Sequence, residues 1–139
     1  MILGVGVDIV DITRFNRWMQ YSESQLLRVF SRQELQACRV DDCYIPDKLA
    51  ARFAAKEALF KALSASLVSL KLTNYTFSLL FLCKHAEVTS GTWDVPMMIV
   101  DWGAIKDIVG DALPDLSVQL SLSHDAGRAV AFVIVNYHQ

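Results

Sequence analysis

Asp47-Lys-Leu-Ala-Ala-Arg52-Phe-Ala-Ala-Lys56-Glu57-Ala-Leu-Phe-Lys61-Ala-Leu63 is the most informative stretch of the chain. It reads as a helix over about 47–63, with Pro46 near its start. On a helical wheel Leu49, Phe53 and Phe60 form a bulky apolar stripe. Ala51, Ala54, Ala55, Ala58 and Ala62 form an opposite side of small residues that other backbone can approach closely. A helix packed on both sides is largely buried. Its four central charges fall as two pairs at i, i+4 spacing, Arg52 with Lys56 and Glu57 with Lys61. Two like charges gain nothing from each other, so an anion outside the helix would explain Arg52 and Lys56. Glu57 and Lys61 can form a helical ion pair worth only about 0.2–0.5 kcal/mol. A carboxylate held between two packed sides needs a partner, and a metal ion or a cation would serve.

Outward toward the N-terminus, Ile2 to Val10 alternates as a strand, with Leu3, Val5, Val7 and Ile9 on one face and Gly4, Gly6, Asp8 and Val10 on the other. Asp8 thus projects from a face that two glycines leave bare, where a ligand or another backbone can come close. A helix follows over about 12–21, for which Asp11 is the better cap. Ser31-Arg-Gln-Glu34 is a capping box, which makes Glu34 a cap rather than a catalyst. Residues 40–47 read as a connection.

Beyond Leu63 the chain turns apolar and β-branched. Lys71 to Cys83 reads as one or two strands, His85 to Thr89 as another, and Met97 to Val100 as a third. Trp102 to Leu113 reads as a helix ended by Pro114. Ser117 to Ser123 pairs with Ala129 to Val135 in a hairpin across residues 124–128.

With 139 residues, 53% of them hydrophobic, 20% charged and a formal net charge of −2, the composition excludes a disordered tail, a collagen-like chain and a polybasic nucleic-acid binder. One domain spanning 1–139 is expected. Cys38, Cys43 and Cys83 show no C-x-x-C spacing and read as reduced thiols. The first apolar run has no basic region before it and is broken by Gly4, Gly6 and Asp8, so neither a signal peptide nor a membrane span is expected, and the protein is read as cytoplasmic. The near-neutral total hides an asymmetry. Between Ile12 and Arg32 stand Arg14, Arg17, Arg28 and Arg32 against the single acid Glu23, while acids dominate from His85 onward. A basic N-terminal region suits an anionic partner or a solvated helix face.

Two constellations can carry chemistry. Asp8 and Glu57 are hard oxygen donors from distant segments with no His or Cys nearby in sequence, a set that suits Mg²⁺. Ser121-Leu-Ser-His124-Asp125 offers hydroxyls and an imidazole to a phosphate. A Ser-His-Asp triad is not implied, because sequence neighbours rarely adopt triad geometry and there is no G-x-S-x-G elbow.

Together Gly4-Val-Gly-Val-Asp8-Ile-Val-Asp-Ile-Thr-Arg14, Arg52-Phe-Ala-Ala-Lys56-Glu57-Ala-Leu-Phe-Lys61-Ala and Ser121-Leu-Ser-His124 resemble, in order, the motifs of the holo-acyl-carrier-protein synthases, small 4′-phosphopantetheinyl transferases. The resemblance covers nearly the whole chain. It implies a single compact α+β domain of that type, helices packed on an antiparallel-rich sheet, assembled as a homotrimer with coenzyme A bound between subunits. It implies transfer of phosphopantetheine from coenzyme A to a serine of apo-acyl carrier protein in fatty acid biosynthesis, releasing adenosine 3′,5′-bisphosphate. On this resemblance Asp8, Glu57 and Lys61 are the catalytic group and Asp8 and Glu57 the Mg²⁺ ligands. Arg52, Lys56, Lys61, Ser123 and His124 are coenzyme A contacts, His124 reaching the cofactor held mainly by the adjacent subunit. Arg14, Arg17 and Arg28 dock the carrier. No nucleic acid or membrane partner is implied. Either a metal-bound water or Glu57 could take the serine proton.

The chain departs from the family after this helix. Where a glycine-rich turn is usual it reads Leu63-Ser-Ala-Ser-Leu-Val-Ser69, and residues 64–84 are longer and more apolar than expected. A run this apolar, Thr73 to Leu82, is expected to pack at a subunit interface. Two other readings stand beside the transferase: a catalytically weak coenzyme A or nucleotide-binding interaction module, and a Mg²⁺-dependent phosphohydrolase.

Overall fold

Alternation along the first residues produces a strand, and the glycines of that strand decide what lies on it. The computed structural model describes residues 1–138. In chain order it contains β1 (Ile2–Asp11), a 3-10 helix (Ile12–Gln20), α1 (Glu23–Leu26) and α2 (Arg32–Ala37). The short strands β2 (Arg39–Val40) and β3 (Cys43–Tyr44) lead into the long helix α3 (Pro46–Ser69), then α4 (Leu79–His85). The chain closes with β4 (Ala86–Ser90), β5 (Pro96–Val100), α5 (Trp102–Val109), β6 (Leu116–Asp125) and β7 (Arg128–Tyr137). This is the expected α+β architecture, built on an antiparallel sheet of order β1-β7-β6 with a separate β4-β5 hairpin.

Helix α3 lies on the sheet with its small side down. A side chain on Gly4 would overlap the Ala62 carbonyl and the Ser66 hydroxyl, and one on Gly6 would overlap the Ala58 carbonyl. The bare face beside Asp8 is therefore filled by helix backbone. Gly6→Ala is expected to cost about 3 kcal/mol or more, because neither the strand nor the helix backbone can yield to a new methyl. A urea midpoint within error of wild type would contradict that packing. The opposite side of α3 buries Leu49, Phe53, Leu59 and Leu63. There Phe15, Trp18, Phe30 and Phe53 form an aromatic group with ring centroids 4.8 to 5.9 Å apart.

Several expectations need correction. Helix α3 does not stop at Leu63 but runs to Ser69. In place of turn glycines, Ser64 and Ser66 donate their hydroxyls to the carbonyls of Phe60 and Ala62 at 2.7 and 2.8 Å, and Leu67 continues the buried stripe. Residues 71–83 are not strands. The chain turns, then Ser78 caps α4 by accepting the Phe81 N–H at 3.1 Å. Part of this run packs within its own chain, while Tyr75 and Leu80 stay exposed. Phe77 and Leu82 are buried in their own chain, Phe77 lying 6.4 Å from the Phe60 ring and 6.1 Å from that of Phe81. Local β-propensity yields to burial against α3. Asp11 makes no capping bond, and its carboxylate instead accepts from Arg128 across the sheet at 3.3 Å. Helix α5 ends at Val109, short of Leu113.

The closing hairpin is tighter than expected. Only Ala126 and Gly127 turn, with φ of 48° and 75°, the left-handed pair of a two-residue loop. His124 therefore belongs to strand β6, opposite Ala129, and not to the turn. Burial pushes the Cys38 and Cys83 thiols up to about 11, so both stay protonated at neutral pH. No helix among the described residues is long and apolar enough to cross a membrane. The sheet face away from α3 is open, with Val5, Val7, Ile9 and Phe132 all exposed.

Candidate active site

Asp8 sits on the α3 side of β1, in register with Ala131 of β7, which in turn pairs with Leu122 of β6. Lys61 reaches down from α3 and donates to Asp8 Oδ1 at 3.0 Å and to the Val7 carbonyl at 2.9 Å. The Asp8 side chain is only 11% exposed, and its second oxygen, Oδ2, is buried with no hydrogen-bond partner. Glu57 stands one turn before Lys61 on the same flank of the helix. Burial raises its carboxyl above the usual range, and the neighbouring Asp8 carboxylate pushes the same way against the smaller opposing effects of Lys61 and Arg14.

Asp8 thus keeps one buried oxygen unsatisfied, and Glu57 lies near enough for the two carboxylates to repel each other. A hard divalent cation would relieve both conditions, and the donor set fits Mg²⁺, which is commonly held by one or two carboxylates with water and substrate phosphates completing the shell. No group of three or more His, Cys, Asp or Glu side chains able to hold a metal stands among the described residues, so a metal here would depend on that outside completion.

A second group gathers on the other flank of α3. Arg52, Ser123 and His124 line one cleft of about 250 Å³, together with Thr89, Ser90 and Asp94. The Nε of Arg52 is buried without a partner, while its Nη1 donates to the Lys48 carbonyl at 3.2 Å. A guanidinium, an imidazole and three hydroxyls in one cleft can hold a phosphate, and Asp94 supplies an acceptor for a donor group beside it. Thr89, Ser90 and Asp94 come from the β4-β5 hairpin, and no spacing in the sequence signals them. Arg52 and Glu57 are five residues apart, roughly 140° around the helix, so the two groups look away from each other.

Lys56 is the clear correction among the residues named from sequence. Its ammonium is fully buried and donates to Glu34 Oε1 at 2.7 Å, to the Val29 carbonyl at 2.7 Å and to the Cys83 carbonyl at 2.9 Å. All three donors are used, so none is left for a phosphate. Its partner Glu34 does cap α2, accepting the Ser31 N–H at 2.8 Å, and its other oxygen accepts the Val88 N–H at 3.0 Å. The capping box was legible in the sequence; the burial of its carboxylate was not. Arg14, Arg17 and Arg28 are all exposed, and Arg14 lies over the Phe53 ring at 5.3 Å from its centroid.

Residues 4–93 match the family model described as the 4′-phosphopantetheinyl transferase superfamily. The holo-[acyl-carrier-protein] synthase of Geotalea daltonii is 36% identical over 142 residues, covering 97% of this chain and 98% of its own. That of Clostridium tetani is 30% identical over 135 residues, with 97% and 96% covered. Among solved structures, the Helicobacter pylori holo-[acyl-carrier-protein] synthase in complex with coenzyme A is 26% identical, with a TM-score of 0.68 and coverage of 95% of this chain and 99% of that one.

Proposed function

Because the chain belongs to the 4′-phosphopantetheinyl transferase superfamily, we propose that it moves 4′-phosphopantetheine from coenzyme A to a serine of apo-acyl carrier protein, releasing adenosine 3′,5′-bisphosphate. The observation that carries this reading is the Asp8, Glu57 and Lys61 cluster, with its unsatisfied Asp8 Oδ2 and its raised Glu57. In the reaction the serine oxygen bonds to the phosphorus bearing pantetheine as the bond from that phosphorus to the bridging oxygen breaks, and the serine proton leaves. Transfer of this kind asks a protein mainly for positioning and charge neutralisation.

Asp8 and Glu57 would hold Mg²⁺. When bound, the ion supplies charge neutralisation at the diphosphate. Lys61 adds a movable positive charge: tied now to Asp8 Oδ1 and half exposed, it can turn to a phosphate oxygen. Arg52, Ser123 and His124 would take a further phosphate of coenzyme A. Arg14, Arg17 and Arg28 would receive an acidic carrier, and the fatty acid pathway is the setting this reading implies.

The two groups occupy opposite flanks of α3, so a single coenzyme A reaches both most directly where a second chain completes the site. The open face of Val5, Val7, Ile9 and Phe132 supports assembly of like chains, and a homotrimer is the form we propose. Sedimentation of Val7→Lys is expected to show monomers where the unaltered protein shows trimers. Trimers that persist in the variant would place the contact elsewhere.

The deciding experiment is intact mass of apo-acyl carrier protein after incubation with the protein, coenzyme A and Mg²⁺. A gain of one phosphopantetheine, absent with chelator, is expected. Coenzyme A binding without any gain would leave a binding module, and phosphate release without carrier would indicate a hydrolase.

A further inference from the structure

The β4-β5 hairpin supplies one wall of the Arg52 cleft, yet little in its own backbone fixes where it stands. It is a two-stranded sheet that shares no ladder with the β1-β7-β6 sheet, and a lone hairpin is marginal by itself. Val88 and Met98 pack into the core, but apolar packing carries no direction. Among the described residues, one hydrogen bond joins β4 or β5 to anything outside the hairpin: the Val88 N–H donates to Glu34 Oε2 at 3.0 Å. Val88 directly precedes Thr89 and Ser90, which line the cleft beside Arg52.

The acceptor of that bond is itself held from the opposite wall. The Glu34 and Lys56 side chains are fully buried and paired at 2.7 Å, and Lys56 stands one turn after Arg52 on α3. The same ammonium donates to the Cys83 carbonyl at 2.9 Å, near the end of α4 and just before β4 begins. One cation thus ties the helix that carries Arg52 to the entry of the hairpin and, through Glu34, to its first strand. A buried ion pair is weak evidence of a stabilising role, since apolar residues of similar volume commonly serve a fold as well. An apolar pair cannot supply a directed acceptor for the Val88 N–H.

We infer that Glu34 and Lys56 are positioning residues for the phosphate-binding cleft: they set the spacing between Arg52 and the Thr89–Ser90 strand, so that both walls hold one phosphate of a nucleotide. That this nucleotide is coenzyme A rests on the proposed function; the coupling of the buried pair to the cleft does not. Neither residue touches the ligand. Their effect falls on affinity for the phosphate-bearing nucleotide end, and not on the Asp8, Glu57 and Lys61 cluster, which looks away from this cleft.

Two variants test the coupling. Glu34→Asp keeps the charge but shortens the reach, so that one carboxylate no longer meets both Lys56 and Val88. Glu34→Gln with Lys56→Met removes both charges and leaves one accepting oxygen in place of two. Each is assayed well below its own thermal midpoint, so that folded protein is compared with folded protein. The calorimetric Kd for adenosine 3′,5′-bisphosphate is expected to rise about tenfold in both, the size of one lost hydrogen bond to a charged group. KM for coenzyme A should rise in parallel, with kcat within about twofold of the unaltered protein. Hydrogen exchange of the Val88 amide should quicken in the same variants. A purely structural role lowers the thermal midpoints and leaves Kd and KM of the folded protein alone, and that result in both variants overturns the inference. So does failure of the unaltered protein to bind the bisphosphate. Transfer is scored in parallel. Bisphosphate binding that weakens in the variants, with carrier never modified by the unaltered protein, keeps the positioning role and overturns the transferase. Carrier that is modified, with bisphosphate affinity unchanged in both variants, does the reverse.

Discussion

Glu57→Gln is expected to lower kcat for phosphopantetheine transfer by at least about 10²-fold while making the metal-free protein more stable at neutral pH. The two halves of this result share one cause. Burial and the Asp8 carboxylate hold the Glu57 carboxyl above its ordinary value of 4.5, so an ionised Glu57 is a strained group in the absence of a metal. The amide keeps the shape and removes the charge, which takes away one of the two proposed metal ligands and relieves Asp8. Glu57 is partly exposed, so water screens the repulsion and the gain should stay below about 1 kcal/mol. The sign with pH follows from proton linkage. The folded state binds the Glu57 proton more tightly than the unfolded state, so stability falls as pH rises from the unfolded carboxyl value through the raised folded one. That fall should be reduced in the Gln variant. Thermal unfolding in chelator across this window, beside kcat at saturating substrates, checks both halves. A Gln variant that is less stable than wild type would mean that Lys61 already satisfies the carboxylate structurally. Adding Mg²⁺ should raise the wild-type midpoint and leave that of the variant unmoved.

Lys56→Met is expected to destabilise the fold by about 3–5 kcal/mol, the largest stability effect anticipated for any single side chain outside the strand glycines. Removal of the ammonium leaves the fully buried Glu34 carboxylate without its cation, and frees the Val29 and Cys83 carbonyls at the same time. The network joins α3 to the segment before α2, to the end of α4 and, through the Val88 N–H, to the hairpin that lines the Arg52 cleft. Glu34→Gln combined with Lys56→Met should recover part of the loss, because an amide oxygen can still accept from the backbone and no charge remains unpaired. The double-mutant cycle in urea reads this as a large coupling energy. A single-variant cost under about 1 kcal/mol would show that the ion pair contributes little and that water reaches the site.

Much of the architecture is legible because it is written in short-range pattern. The period-2 alternation before Asp11, the apolar and small sides of the helix through Leu63, and the Ser31 to Glu34 capping box each follow from neighbours within a few residues. So does the placement of Asp8 and Glu57 on elements that can meet. The charges of α3 were harder. Arg52 and Lys56 share a spacing and a sign, yet Arg52 lines a cleft and Lys56 is sealed inside with Glu34. The 40° between them on the helix wheel is enough to put one at an opening and the other beneath α2 and α4.

The amino-acid sequence by itself determined the family motifs, the first strand, the central helix and the choice of Asp8 and Glu57 as candidate donors, since periodicity and residue type act locally. Only the tertiary structure decided that α3 runs on to Ser69, that residues 79–85 are helical, and that Lys56 is an internal cation. The hairpin wall of the Arg52 cleft is of the same kind. These depend on which surface covers which, and burial free energy is set by partners such as Glu34 and Cys83, far from Lys56 along the chain.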